Sequence, residues 1–199
     1  MSAKPGIVQM ASNIKWIGAI DWDVREFHSL HIPKGTTYNS YLITSSKPTI
    51  VEAVRDTLAD EWIGHLRTIF GDSLSQVKQI VLNHAEPDHT SGMKKLMAMY
   101  PHIELVCTKK NFETLSRLYD TSKWKRRIIK GDELFSVGEE SMLLHEVPLA
   151  HWPESCIGYM PKSKIVFSND AFGQHLAGNQ RWVDEVDQDL YLQEARSYY

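Results

Sequence analysis

Gln79-Ile80-Val81-Leu82-Asn83-His84-Ala85-Glu86-Pro87-Asp88-His89 is the stretch on which the reading of this chain turns. Residues 79–83 form a short apolar run of the kind that a buried strand carries. His84, Glu86, Asp88 and His89 then place four potential ligands within six positions. Met93, Leu96, Met97 and Tyr100 follow at helical spacing. The cluster therefore lies on a loop between a strand and a helix, where a rigid strand end holds the backbone while the side chains converge. Adjacent Asp88 and His89 cannot face the same way on a regular element. A pair of metals, or a loop turning between them, accommodates both. At ordinary residue frequencies so dense a pattern arises by chance in roughly one 200-residue sequence per thousand. The bland alternative is a loop of solvated histidines and acids.

Two later positions weigh against that alternative. His151 follows the expected strand 142–147 in Pro148-Leu149-Ala150-His151-Trp152-Pro153, and Asp170 follows the expected strand 165–168 in Ser168-Asn169-Asp170. Each stands just beyond an apolar strand, as the first cluster does. A lone strand-end Asp is as readily a turn former or helix cap. Together the positions supply three His, two Asp and one Glu, an inventory for two metals. Zinc sites favour Cys and His, whereas a set half carboxylate and half imidazole suits iron or manganese. A carboxylate between two cations offsets their repulsion, and Asp170 is assigned that bridging place.

Outward from the cluster, 14–20, 37–43 and 49–54 read as strands. Leu58, Trp62, Leu66 and Ile69 mark an amphipathic helix. Residues 104–108 read as a strand and Phe112, Leu115, Leu118 and Tyr119 as a helix. Four more strands are expected at 126–130, 142–147, 157–160 and 165–168, with Pro161-Lys162-Ser163-Lys164 as a hairpin turn. A helix is expected from about Asp189 to Tyr199, with no Gly cap or following Pro to end it. Helices inserted among more numerous strands predict an α/β (α+β) chain, its sheets covered by helices on their outer faces. No linker or repeat divides the 199 residues, so one domain is expected.

Composition narrows the partners. Lys and Arg number 22 against 25 Asp and Glu, a net charge of −3 that favours neither nucleic acid nor an anionic membrane. Cys107 and Cys156 are too few for a disulfide scaffold, and they form no CxxC pair that would bind a rubredoxin-type iron. No apolar run approaches the ~20 residues of a membrane span and no signal-peptide core is evident, so the cytoplasm is the expected location.

Over nearly its whole length the chain resembles the diiron domain of the flavodiiron proteins (A-type flavoproteins, including rubredoxin:oxygen oxidoreductases and flavorubredoxin nitric oxide reductases). The likeness rests on Trp16-Ile17-Gly18-Ala19-Ile20-Asp21-Trp22-Asp23-Val24-Arg25 with Phe27-His28, and on Gly35-Thr36-Thr37-Tyr38-Asn39-Ser40-Tyr41-Leu42-Ile43. It continues through Asn83-His84-x-Glu86-x-Asp88-His89, His151-Trp152-Pro153-Glu154-Ser155, Phe167-Ser168-Asn169-Asp170-Ala171-Phe172-Gly173-Gln174-His175 and Asp184-Glu185-Val186-Asp187. The resemblance implies a metallo-β-lactamase-like αββα sandwich. It further implies that His84, Glu86 and His151 ligate one iron, Asp88 and His89 the other, and that Asp170 bridges them. Such enzymes reduce O2 to water or NO to N2O with electrons from FMN. The flavin is held by the partner subunit of a head-to-tail dimer, and a rubredoxin-type or flavin donor stands upstream. Glu86 departs from the His-x-His-x-Asp-His pattern of hydrolytic relatives. A carboxylate there hardens the site and lowers its charge by one, which favours higher-valent iron.

The family draws one further His ligand from a Ser-His-Gly segment and its FMN from a flavodoxin-like domain. Residues 1–199 contain neither, so an incomplete sandwich, truncated at its C-terminus, is expected. His175 matches a family residue that is not a ligand. Glu52, where the family often has Asp, and Leu149-Ala150, where Met-Leu is common, are read as packing changes. Trp152 is a packing residue or a pocket wall. His28 and His145 are read as solvated or core-satisfied before they are read as partners of the ligands, and His31, His65 and His102 as surface residues. Lys123-Trp124-Lys125-Arg126-Arg127 is read as a solvated face. Two competing functions remain at this point: a metal-dependent hydrolase of the same fold, which zinc and hydrolytic turnover would mark, and a non-catalytic remnant, which poor metal binding would mark.

Overall fold

The computed structural model describes residues 6–198. Strands β1 (Val8–Ala11), β2 (Ile14–Trp16), β3 (Ala19–Asp21), β4 (Glu26–Phe27), β5 (Leu30–His31), β6 (Thr36–Tyr38), β7 (Tyr41–Ile43) and β8 (Thr49–Val51) precede helix α1 (Ala59–Phe70). Then β9 (Gln79–Val81) leads into α2 (Pro87–Thr90) and α3 (Met93–Met99), and β10 (Glu104–Thr108) into α4 (Lys109–Leu118). Strands β11 (Arg126–Ile129), β12 (Phe135–Ser136), β13 (Ser141–Glu146), β14 (Cys156–Met160) and β15 (Ile165–Phe167) follow, and then α5 (Gln188–Tyr198).

Seven strands form one sheet in the order β1-β2-β7-β8-β9-β10-β11, and β12 to β15 form a second, antiparallel one. Alternation along the strands separates two apolar layers. Ile50, Ile80 and Leu105 face one way and pack with Trp62, Ile63 and Leu66 of α1, Leu96 of α3 and Leu115 of α4. Their neighbours Val51, Val81 and Val106 face the other way, against Met142, Leu144, Cys156 and Phe167 of the second sheet. Each such buried side chain contributes about 1.5–3 kcal/mol relative to exposure. Helix layer, large sheet and small sheet thus follow the stacking expected of the sandwich. Helix α1 carries Asp60 and Glu61 in its first turn, where the helix dipole favours them. It stops at Gly71, whose φ of +73° suits glycine and whose N–H reaches Arg67 O at 2.8 Å.

The strands expected at 126–130, 142–147, 157–160 and 165–168 and the 161–164 hairpin are found within a residue or so. Those expected at 14–20 and 37–43 each break in two. β2 pairs with β7 in the large sheet, whereas β3 leaves to pair with β6 in a separate ribbon. The break falls at Gly18, where a Cβ would lie 2.1 Å from Tyr38 O, so the chain crosses there with no room for a side chain. The strand expected to run to Val54 ends at Val51, because Glu52 turns out with φ +61°. β1, β12 and the small ribbon β4/β5 had no visible periodicity and were not anticipated.

Candidate metal centre

Strands β8, β9 and β10 run parallel with Val51, Val81 and Val106 level in register, so the large sheet releases its chain at one edge. Past that edge Asn83 enters the ligand loop. Its carbonyl accepts from Cys156 N at 2.9 Å and thereby ties the loop to the second sheet. Glu86 precedes α2, with Pro87 at the first helical position where a missing N–H costs nothing. The Thr90 hydroxyl closes the turn onto Glu86 O at 2.9 Å, and Gly92 N donates to Val54 O at 2.9 Å. A Cβ on Gly92 would lie 2.6 Å from that oxygen, so the close approach requires glycine. His151 hangs from the loop after β13, closed by Val147 N to Ser155 O at 2.8 Å and Leu149 N to Trp152 O at 2.9 Å. Asp170 lies in the turn after β15, with Ala171 N on Ser168 O and Gly173 N on Asp170 O.

All six expected ligands meet. Nε2 of His84 and Nε2 of His151 each lie 3.0 Å from Glu86 Oε2, and they lie 3.5 and 3.4 Å from Asp170 Oδ2. One ligand atom from each of these four residues falls within 4.8 Å of the others. A second convergence adjoins it: His89 Nε2 lies 2.8 Å from Asp170 Oδ1 and 3.5 Å from Asp88 Oδ2. Asp170 thus gives one oxygen to each group. Buried Asp88 Oδ1 and Asp170 Oδ2 have no hydrogen-bond partner.

Three further side chains touch the ligands. Glu52, read from sequence as a packing change, is a buried carboxylate: Oε1 accepts from Asn83 N at 2.5 Å and Oε2 faces His89 Nδ1 at 3.1 Å. Glu154 accepts from Ala85 N at 3.2 Å and faces His84 Nδ1 at 3.0 Å. His28, read as solvated or core-satisfied, is half-exposed with Nδ1 2.7 Å from Glu86 Oε1, and its ring stacks on Phe27. The His28 contact had no sequence signal, since two-residue strands place it. For Glu154 the signal was its place three residues after His151. Trp152 stands edge-on to His84 at 5.3 Å. His145 is exposed beside Asp132, as expected, but His65 is half-buried with Nδ1 3.1 Å from Ile17 O rather than on the surface. His175 meets Thr36 Oγ1 at 3.0 Å.

The electrostatics ask for cations. Burial disfavours a charge on His84, yet its bonds to Glu154 and Glu86 outweigh that and lift the imidazole to about 9. Burial likewise opposes charge on His89, and Asp88, Asp170 and Glu52 override it, so the ring sits well above its usual range. Burial pushes Asp170 up, but His89, His84 and His151 hold it well below the carboxylate range. Glu86 is lowered in the same way against its burial by His84, His151 and His28. Glu52, Glu86, Asp88, Glu154 and Asp170 cannot all be carried as buried anions without positive charge between them. Two cations would supply it and leave the imidazoles neutral, the form in which they bind metal. Imidazole nitrogens and carboxylate oxygens are also the donor set for iron. The residues fit a metal pair. A cavity of about 570 Å3 reaches Asp88, His89 and Asp170 from an apolar end at Met10, Ile14 and Phe167.

The sequence model of the family described as "ODP family beta lactamase" matches residues 36–199. A protein named nitric oxide reductase from Moorella thermoacetica is 35% identical over 194 residues, 96% of this chain and 48% of that protein. Among solved structures, the flavodiiron protein of Giardia intestinalis superposes with a TM-score of 0.90 at 37% identity, covering 94% of this chain and 46% of its own. The rubredoxin oxygen:oxidoreductase of Desulfovibrio gigas superposes with a TM-score of 0.90 at 26% identity, covering 97% and 48%. The chain spans about half the length of the curated relatives it matches.

Proposed function

Because this chain belongs to the ODP beta-lactamase family, we propose that it is the diiron domain of a flavodiiron oxidoreductase, reducing O2 to water or NO to N2O with electrons relayed through FMN. The observation that carries this reading is the reach of Asp170, which offers Oδ2 to the group around Glu86 and Oδ1 to His89. In it, His84, Glu86 and His151 would hold one iron, Asp88 and His89 the other, and Asp170 both. Bound there, an iron pair would supply adjacent one-electron donors for reducing a small diatomic substrate.

The chain's own residues fix the rest. Glu86 places a hard anionic oxygen where a third imidazole would suit zinc. Trp152 sets an aromatic ring perpendicular to fully buried His84, with 5.3 Å between ring centroids. The group around His89 counts three candidate ligands against four around His84, and it is the one that faces the cavity. That difference supports the further His ligand expected from sequence at the second iron. The FMN belongs, in this reading, to the half of the relatives' length that residues 1–199 do not span. Its partners are O2 or NO, a rubredoxin-type or flavin electron donor, and a second subunit arranged head to tail. The cytoplasm is the proposed location: both cysteines are free and buried, and among the described residues no helix is long and apolar enough to cross a membrane.

Anaerobic reconstitution with Fe(II), followed by metal analysis and brief exposure to O2 or NO, tests the reading. A pair of irons per chain that oxidises on exposure supports it. A chain that takes up zinc in preference to iron and hydrolyses an ester or lactam overturns it.

A further inference from the structure

We propose that Glu52 and Glu154 are positioning residues, one for each metal position, which fix the tautomers of His89 and His84 so that both rings present a bare Nε2 to the centre. This rests on the diiron reading above and goes beyond it, by assigning work to two residues that touch no metal.

The geometry is paired. An ionised carboxylate only accepts, so an imidazole nitrogen facing one must carry the proton, and a neutral ring then has none on its other nitrogen. Glu154 Oε1 lies 3.0 Å from His84 Nδ1, and His84 Nε2 points at Glu86 and Asp170. Glu52 Oε2 lies 3.1 Å from His89 Nδ1, and His89 Nε2 points at Asp88 and Asp170. Both carboxylates are held from behind. Glu154 accepts from Ala85 N, and its carbonyl accepts from Asn111 Nδ2 at 3.0 Å. Glu52 accepts from Asn83 N through its second oxygen. Its carbonyl takes the Ser40 hydroxyl at 2.7 Å, and that hydroxyl in turn accepts from Trp62 Nε1 at 2.9 Å. The left-handed backbone at Glu52 aims the side chain back under the ligand loop. Glu52 reaches its two partners with one oxygen each, whereas Glu154 meets both of its own with Oε1. At 4% and 3% exposure, neither carboxylate has water to exchange partners with.

The two residues serve different metals, and this gives the test. In Glu52→Gln the amide oxygen can keep the Asn83 bond, but its NH2 then faces Nδ1. His89 must accept there and carry its proton on Nε2, the atom a metal needs. Glu154 meets Ala85 N and His84 Nδ1 with the same Oε1, so a glutamine there could keep both bonds; the second variant is therefore Glu154→Leu, which leaves His84 Nδ1 with no acceptor to hold its proton. The wild-type chain and both variants are titrated anaerobically with Co(II), with far-UV circular dichroism as the fold control. Each variant is expected to lose one Co(II) site, weakened roughly ten- to hundredfold, and to keep the other, with different residual visible spectra. Loss of both sites in each folded variant, or of neither, overturns the proposal. Should a variant not fold, long-range 1H–15N spectra of the Zn(II)-loaded wild-type chain read the tautomers directly. Protonated Nδ1 on both His84 and His89 supports the proposal and a bare Nδ1 on either overturns it. A wild-type chain that binds neither Co(II) nor Zn(II) overturns the metal-centre reading itself, which separates the two failures.

Discussion

Asp170 and His89, 81 positions apart, meet with 2.8 Å between Oδ1 and Nε2, and the other oxygen of the same carboxylate turns to His84 and His151. Asp170→Asn removes one anionic oxygen from between the two groups and offers an NH2 to the other. Iron content measured after desalting is expected to fall by at least half, with the residual affinity down roughly a hundredfold. The metal-free chain should still fold, as far-UV circular dichroism would show, since the residue sits in a turn outside both apolar layers. Unchanged iron content would contradict the bridging assignment.

Burial pushes the thiols of Cys107 and Cys156 up to about 12. At pH 8 that leaves about a thousandfold fewer thiolates than a free cysteine has, and the thiolate is the reactive form. Both cysteines should therefore resist iodoacetamide at pH 8 in the folded chain and react promptly in 6 M guanidinium. Mass spectrometry of the two samples reads the outcome directly.

Tyr38 is also lifted by burial to about 12, against a partly opposing bond from Arg55. In the unfolded chain the phenol and the thiols ionise near 10 and 9, so above those values the unfolded state binds fewer protons than the folded one. Stability should be whole below about pH 9 and should fall as pH rises toward 12. Urea midpoints taken at pH 7, 9 and 10.5 would show it, and a midpoint that rose across that interval would refute it.

Gly18 and Gly64 form a natural contrast. Alanine at Gly18 drives a methyl into Tyr38 O and should cost about 3 kcal/mol or more. Alanine at Gly64, inside α1 with nothing within 4 Å of its Cβ, should stabilise by about 0.5–1 kcal/mol. Chemical denaturation of the two variants compares them on one scale.

Much of the candidate centre could be read from the chain because four of its candidate ligands are neighbours in sequence and the other two follow apolar strands. Local order therefore already implies spatial order. His84 and Glu86 need only the end of β9 to bring them together, and β13 and β15 deliver His151 and Asp170 to the same edge. Glu52 was misread for the opposite reason. Its role depends on a left-handed backbone and on contacts with Asn83 and His89, more than thirty positions away, and the Asp-to-Glu difference alone suggested only packing. The break in the strand expected at 14–20 was hidden in the same way. Gly18 is a strand interruption only because Tyr38 O passes beside it, a fact of tertiary structure that β-branched neighbours conceal.

The candidate ligands depart from strand ends in two different sheets, β9 in the large one and β13 and β15 in the small one, and the seam between those sheets is packed with valine, methionine and leucine. A metal held between His84 and Glu86 on one side and His151 and Asp170 on the other would act as a clasp across that seam. Chelation should then loosen the join between the front and rear portions of the chain, so that a protease finds the β11–β12 connection sooner in the stripped protein than in the loaded one.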